Sequence, residues 1–475
     1  MFVKYINADN VLDFRSGGNY NFRVKARIIP LRINGSFYRT KIAVPLWVLF
    51  LTQRAEMTIQ ILKGNIVHAP SAGELKILEN GFIVSDGGKI AGLFDVLPEK
   101  YAGAPVVDYG DALIMPSFAD MHMHAPQYPM LGMGMDLPLL EWLNTYTFNT
   151  ESAFADKDFA RETYRALARE MIACGTTRVC AFSSLHREAT LILMEEFEKA
   201  GLTGFVGKVN MDRNSGDVLT ETTEESMRET LAWLDQARFD HIKPVLTPRF
   251  TPTCTNELMA FLGKLAADRD LPVQSHLSEN TSEIAWVREL HPDCARYWES
   301  YAKYGLFNSR TVMAHCVHSD ETERKAMRDN GVWVAHCPDS NVNLISGTAP
   351  VRKMMNEGVK VVLGSDIAGG AQLAMNQVVA AAIRASKIKR IETNQTDDFL
   401  TVAEAFYLGT TAAGAFFGAK GGFAKGDKLH AIVVDDADLP APVRELTVKE
   451  RFERAIYLMT KADIAAVYSD GRRVK

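Results

Sequence analysis

The run M-H-M-H sets His122 and His124 two residues apart. On an extended strand, residues i and i+2 point to one face, so both imidazoles can reach a common ion. Taken alone the spacing is weak, since an isolated H-x-H is more often surface decoration or a satisfied core pair. Its weight changes because other apolar, strand-like runs also end in metal-binding residue types: His276 after P-V-Q-S, His315 after T-V-M-A, and Asp366 after V-V-L-G-S. Imidazoles with a carboxylate suit zinc best, with iron(II) as the competing ion. Such an ion lowers the pKa of a water towards about 7 and supplies hydroxide at neutral pH, the chemistry of a hydrolase.

Glu279 stands three residues beyond His276 in H-L-S-E. Were the strand to continue, period two would turn it to the opposite face, so it is expected on the loop that follows, hanging over the metal. By itself it reads as a solvated loop glutamate; beside these ligands it reads as a proton carrier. Two-metal barrels bridge their ions with a modified lysine ending the fourth strand. Here that strand ends T-P-R and Lys243 lies at its start, so one metal is expected. Other conspicuous residues take plainer readings. His318 and His336 are supporting or packing groups, and Cys316 and Cys337 need not be nucleophiles where a metal can make hydroxide. His186 and Glu188 form an H-x-E without the P-C-x-x-C that accompanies it in one class of zinc enzymes.

The elements that must carry these residues alternate. Eight strand candidates are Ala112–His122, Thr176–Phe182, Gly204–Asn210, Ile242–Pro248, Pro272–His276, Thr311–His315, Val332–His336 and Lys360–Ser365. Helical patterns lie between them, as in Asp158–Ala173, Glu224–Ala237, Asn256–Arg269 and Asp320–Asp329, where apolar residues recur at three and four. Eight alternations over this length predict an α/β fold, a (β/α)8 TIM-type barrel with its site at the C-terminal mouth of the strands. A doubly wound open sheet is the structural alternative. The flanks differ: T-I-Q-I-L-K-G-N-I-V-H-A-P and E-N-G-F-I-V-S-D-G-G-K-I-A-G-L-F near the start, H-A-I-V-V-D-D and A-A-V-Y-S-D-G-R-R-V near the end, are hairpin-like. They are expected to meet in a small discontinuous β-sandwich formed by the two ends. The predicted domains are a basic extension over 1–56, sandwich parts at 57–111 and 425–475, and the barrel at 112–424.

Composition narrows the partners. The chain has 475 residues, a net charge of -5 and 47% hydrophobic residues. The extension holds nine Lys or Arg against three Asp or Glu, but the whole chain lacks the basic surface nucleic acid requires. The six cysteines form no C-x-x-C pair and read as a reducing cytoplasm. The longest apolar run, Ala43 to Leu51, is broken by Pro45 and is far short of the roughly 20 residues that span a bilayer. It also lies too deep for a signal peptide. A small molecule and a second copy of the chain, as a homodimer, are the expected partners, with neither nucleic acid nor membrane.

In barrel order the sequence reads H-M-H-A-P-Q-Y, D-L-P-L-L-E-W-L-N-T-Y-T-F, T-P-R-F, S-H-L-S-E-N, A-H-C, H-C-P-D-S-N and G-S-D-I-A-G-G. Over roughly 57–475 this resembles the guanine deaminases of the amidohydrolase superfamily, H-A-P-Q-Y and L-L-E-W-L being the more specific motifs. The resemblance implies one zinc held by His122, His124, His276 and Asp366. It also implies His315 beside the activated water, Glu279 as the proton shuttle and Asp366 as the acceptor of the water's proton. Gln127, Arg249 and Phe250 match positions that contact the purine, and Trp142 lies in a lid-like segment. Read from the residues alone, Trp142 belongs to an amphipathic helix burying Leu139, Leu140 and Leu143. The implied reaction is hydrolysis of guanine to xanthine and ammonia. Arginine's fork matches guanine O6 and N7, so Arg249 is expected at that edge. Another aminohydrolase or chlorohydrolase of the superfamily, a non-catalytic barrel and a metal-storage protein are the rival readings.

Overall fold

Strands covered on both faces read as unbroken apolar runs, and Thr176–Phe182 is one: all seven of its residues are buried. The computed structural model describes the backbone of Asp9–Arg15, Asn21–Arg27, Leu31–Ile33 and Ser36–Tyr38, and residues 59–475 except 217. The chain divides into two compact units, Met1–Met57 and Thr58–Lys475. In the first, Asp9–Arg15 pairs antiparallel with Asn21–Arg27, and Leu31–Ile33 with Ser36–Tyr38. The apolar run Ala43 to Leu51 lies outside the described residues.

In the second unit, parallel pairing links Phe118–His124, Thr176–Phe182, Thr203–Gly207 and Ile242–Pro244 in chain order. A second parallel sheet links Val273–Leu277, Thr311–His315, Trp333–His336 and Lys360–Leu363, again in chain order. Neither sheet shows the order reversal of a doubly wound fold. Backbone bonds link strand residues of each sheet to segments just past strands of the other. Gln274 N–H donates to Leu246 O (2.9 Å), while Asp366 N–H donates to His122 O (2.8 Å) and His124 N–H to Ile367 O (3.1 Å). Helices alternate with the strands, among them Lys157–Ala173, Arg187–Ala200, Thr223–Gln236, Asn256–Arg269, Thr281–Leu290 and Glu321–Asn330. Their buried residues and the strands share one apolar core. The third and fourth strands are each interrupted, with Val209–Asn210 pairing Thr247–Pro248 beyond the break.

One expected strand is two. Ala112–His122 divides at Ser117: Val106–Pro116 pairs with Ala431–Val434, whereas Phe118–His124 pairs with Thr176–Phe182. The reason lies in the backbone partners. Ser117 N–H turns to His430 O and Phe118 N–H to Gly175 O, so the chain changes sheets at that residue. The two ends of the unit meet in a seven-stranded sheet ordered Arg472–Arg473, Ile464–Ser469, Ala431–Val434, Val106–Pro116, Ile59–Ser71, Glu74–Asp86 and Lys89–Phe94. Gly87 and Gly88, with φ of 56° and 78°, make the tight hairpin that S-D-G-G-K announces. This sheet has its own apolar cluster, including Leu62, Ile83, Ile114, Val433 and Tyr468.

Candidate metal and substrate site

The donor side chains converge where the parallel strands end. His122 and His124 close Phe118–His124, His276 is the fourth residue of Val273–Leu277, His315 ends Thr311–His315, and Asp366 follows Lys360–Leu363. Close approach of the last strand to the first needs Gly364, because a Cβ there would lie 2.8 Å from His122 Cβ. His315 and Asp366 both take positive φ, 72° and 49°. Such backbone in non-glycine residues is costly and clusters at functional sites.

Ligand atoms of His122, His276, His315 and Asp366 all lie within 4.8 Å of one another. His124 is outside that group but lies beside two of its members: its Nε2 is 3.1 Å from His276 Nε2 and 3.6 Å from Asp366 Oδ1. His276 Nδ1–H donates to Arg249 O (2.6 Å), which fixes the tautomer and leaves the Nε2 lone pair facing the cluster. His122 Nε2 is 3.2 Å from Asp366 Oδ1 without hydrogen-bond geometry, and neither ring nitrogen of His122 has a partner among the described residues.

Electrostatics sort these imidazoles into two kinds. Burial, then the charge of Arg249, pushes His124 well below the usual histidine range; burial and the neighbouring His122 do the same to His276. Burial also lowers His122. These three stay neutral, as metal ligands must. His315 goes the other way. Burial works against its charge, but Glu279 and Asp366 outweigh it and raise the pKa. Its Nδ1 bonds Asn341 Oδ1 (2.9 Å) and its Nε2 lies 3.5 Å from Glu279 Oε2 and 3.8 Å from Asp366 Oδ2. Burial alone would raise Asp366, yet His315 and His122 hold it below the ordinary range. Glu279 is pushed up to about 7 by burial, against the opposing pull of His315.

Glu279 lies just past Val273–Leu277, on the expected loop, after Ser278 at φ 49°. The local sequence holds it there. Asn280 caps Thr281–Leu290 in a capping box with Glu283. Glu283 Oε2 also accepts the Glu279 N–H (2.9 Å), while its Oε1 accepts from Tyr297 OH (2.6 Å). Ser346 Oγ–H donates to Glu279 Oε1 (3.2 Å), and Ser346 O in turn lies 2.8 Å from His318 Nε2.

A cavity opens over the cluster, lined by His124, His276, His315, Asp366 and Glu279 together with Gln127, Trp142, Arg249, Phe250, Leu139, Leu143, Leu344 and Gly369. Every singled-out site residue except His122, which lies fully buried beneath, reaches it. Trp142 belongs to the helix Leu139–Trp142; it buries with Leu139 and Leu143, donates Nε1–H to Met133 O (2.9 Å), and still lines the cavity. Leu140, expected on the buried face, is only half-buried.

Three buried carboxylates were not legible as site residues. Asp120, within Phe118–His124, accepts the N–H of both Ser365 and His122, and burial pushes it up to about 7. Glu283 could have been found through N-T-S-E, the capping-box spacing. Glu151 has no local signal at all, yet it bonds both Gln127 and Arg249.

The plainer readings have physical grounds. Burial raises Cys316 and Cys337 well above the ordinary thiol range, which keeps them protonated. His336 is lowered to about 3 by burial. Lys243 is exposed, bonding Phe239 O. Glu188 pairs with Lys157 and Arg187. No helix among the described residues is long and apolar enough to cross a membrane.

Comparison with known proteins follows the same chemistry. The amidohydrolase family model matches residues 113–474. The chain is similar to the guanine deaminase of Dictyostelium discoideum, with 36% identity over 89% of this chain and 99% of the relative. It is similar to the guanine deaminase of Homo sapiens at 34%, over 87% and 96%. Among solved structures it resembles the guanine deaminase from C. acetobutylicum with guanine bound in the active site, at TM-score 0.85 and 44% identity, covering 87% of this chain and 99% of that one.

Proposed function

Because the chain belongs to the amidohydrolase family and is similar to guanine deaminases along most of its length, we propose that it hydrolyses guanine to xanthine and ammonia. The observation that carries this is one cavity in which neutral imidazoles, Asp366 and Glu279 face Gln127, Arg249 and Phe250. The two parallel sheets read as halves of a closed (β/α)8 barrel, supported by the backbone bonds from Asp366 to His122 and from Gln274 to Leu246. The one seven-stranded sheet supports the discontinuous domain expected of the two ends.

The donor set fits a single divalent ion. His276 presents its Nε2 lone pair to the cluster, His124 Nε2 lies 3.1 Å from it and 3.6 Å from Asp366 Oδ1, and the two buried ring nitrogens of His122 have no hydrogen-bond partner among the described residues. His122, His124, His276 and Asp366 would hold it, with zinc favoured over iron(II) by three nitrogens and a carboxylate. Bound there, the ion supplies Lewis acidity for activating water.

The chain's own residues do the rest. His315, charged between Glu279 and Asp366 and tethered by Asn341, orients the attacking water by donating a hydrogen bond. Asp366, kept ionised, takes the water's proton. Glu279 has a pKa near neutrality and therefore can donate as well as accept. It protonates the ring nitrogen beside C2 as C2 becomes tetrahedral, then helps deliver a proton to the departing amine. Arg249 and Gln127 hold the base edge, Phe250 packs on its face, and Trp142 with Leu139 and Leu143 closes the apolar side. A homodimer in the cytoplasm completes the reading.

The test is ammonia release from guanine against a panel of adenine, adenosine, cytosine and aminotriazines, with metal content measured on the same preparation. Turnover lost on chelation and restored by zinc is expected. A faster reaction with another substrate in the panel would replace guanine.

A further inference from the structure

Glu151 lies in Phe148–Ser152, behind the cavity wall, and is 1% exposed. Its two carboxylate oxygens are divided between two elements. Oε2 accepts from Arg249 Nη1 at 2.6 Å and Oε1 accepts from Gln127 Nε2 at 2.8 Å. Gln127 Oε1 is occupied in turn by the Ala368 N–H at 2.9 Å. Arg249 is 4% exposed and Gln127 2%, so neither partner is solvated, and an unpaired charge on either side would be costly.

Resting on the reading of Arg249 and Gln127 as base contacts, we propose that Glu151 is a positioning and specificity residue that makes this wall a charge-neutral surface of hydrogen-bond donors. Two consequences follow from the geometry. With its carbonyl bonded to Ala368 and one N–H bonded to Glu151, the Gln127 amide is locked, and the hydrogen it has left for a ligand is its second N–H. Flipping the amide would set N–H against N–H and oxygen against oxygen. Arg249 spends one N–H on Glu151 and keeps the rest of its fork, but its charge is cancelled locally. A wall of donors without net charge selects a neutral purine bearing acceptors along one edge. A lone buried guanidinium would instead favour an anionic purine. Glu151 thereby holds a neutral base in preference to oxidised, anionic ones such as urate.

The test uses the full-length, metal-loaded protein and the variants Glu151→Gln and Glu151→Asp. It measures KM and kcat for guanine, direct binding of urate and of neutral hypoxanthine, melting temperature and metal content. In Glu151→Gln the charge of Arg249 is released and the amide contacts are scrambled. KM is expected to rise by about tenfold or more, and the ratio of urate to hypoxanthine affinity to shift about tenfold towards urate, with metal retained. Glu151→Asp keeps the charge but is too short to reach both partners, so KM rises while the binding ratio stays at the wild-type value. A ratio unchanged in Glu151→Gln overturns the proposal, as does an unchanged KM in Glu151→Asp. A purely structural role would lower the melting temperature without moving the ratio. Ammonia release from guanine by the wild-type protein tests the underlying reading separately, because the binding ratio does not depend on turnover.

Discussion

At the scale of single residues, the site is a set of groups whose protonation is set by what surrounds them. His276 is kept neutral by burial and aimed by the Arg249 carbonyl. In His276→Ala both the bound metal and turnover are expected to disappear, since the remaining donors lose one partner and the orientation it imposed. Stoichiometric zinc with full activity in that variant would mean the ligand set is wrong. Glu279→Gln keeps the size and the Ser346 contact but cannot carry a proton. Metal should stay, and kcat should fall by about 10² or more; an unchanged kcat would leave Glu279 as a loop residue only. Arg249 is buried against Glu151 and lines the cavity, so it is not an outward ion-pair arginine. Arg249→Lys retains the charge and loses the planar fork, and should cost kcat/KM for guanine about 1–3 kcal/mol while leaving zinc in place. Normal kinetics there would remove Arg249 from base recognition.

At the scale of elements, helix starts do more than stabilise helices. The capping box at Asn280 and Glu283 begins Thr281–Leu290 and, through the same Glu283 oxygen, holds the backbone of Glu279. Thr222 and Glu225 form the same motif at Thr223–Gln236, away from the cavity. Replacing either cap by alanine should cost about 1 kcal/mol of stability. Only Asn280→Ala should also lower kcat, because only that cap steadies a proton carrier. Thermal melts and steady-state kinetics on the two variants, side by side, settle the point: equal kinetics would show that the loop is held by other contacts. Positive φ at Ser278, His315 and Asp366 belongs to the same scale, since each lies at or just past the end of a parallel strand, where the cavity-lining Glu279, His315 and Asp366 are carried.

At the scale of the whole molecule, the chain breaks near Met57 into two units. The family match, over residues 113–474, lies within the second of them. A protein beginning at Met57 is therefore expected to fold, bind metal and release ammonia from guanine at close to the full-length rate. Insolubility, or a melting temperature many degrees lower, would show that residues 1–56 contribute to the fold.

What the sequence determined by itself is what short-range geometry encodes. Residue type and period two put His122 and His124 on one face, and the H-L-S-E spacing put Glu279 on a loop. These depend on a few neighbouring residues, and the motifs carried the likeness to guanine deaminases over most of the chain. Tertiary structure alone decided the rest. Ala112–His122 is divided because Ser117 and Phe118 find partners in different sheets, a choice made by distant strands. Glu151 reaches Arg249 across 98 positions of sequence, with no spacing rule to announce it. Protonation was likewise out of reach: burial pushes neutral His124 down and Glu279 up to about 7, while two carboxylates raise His315 against that same burial. Desolvation and charge act through space, so the chemistry of each group is set only when the chain has closed around it.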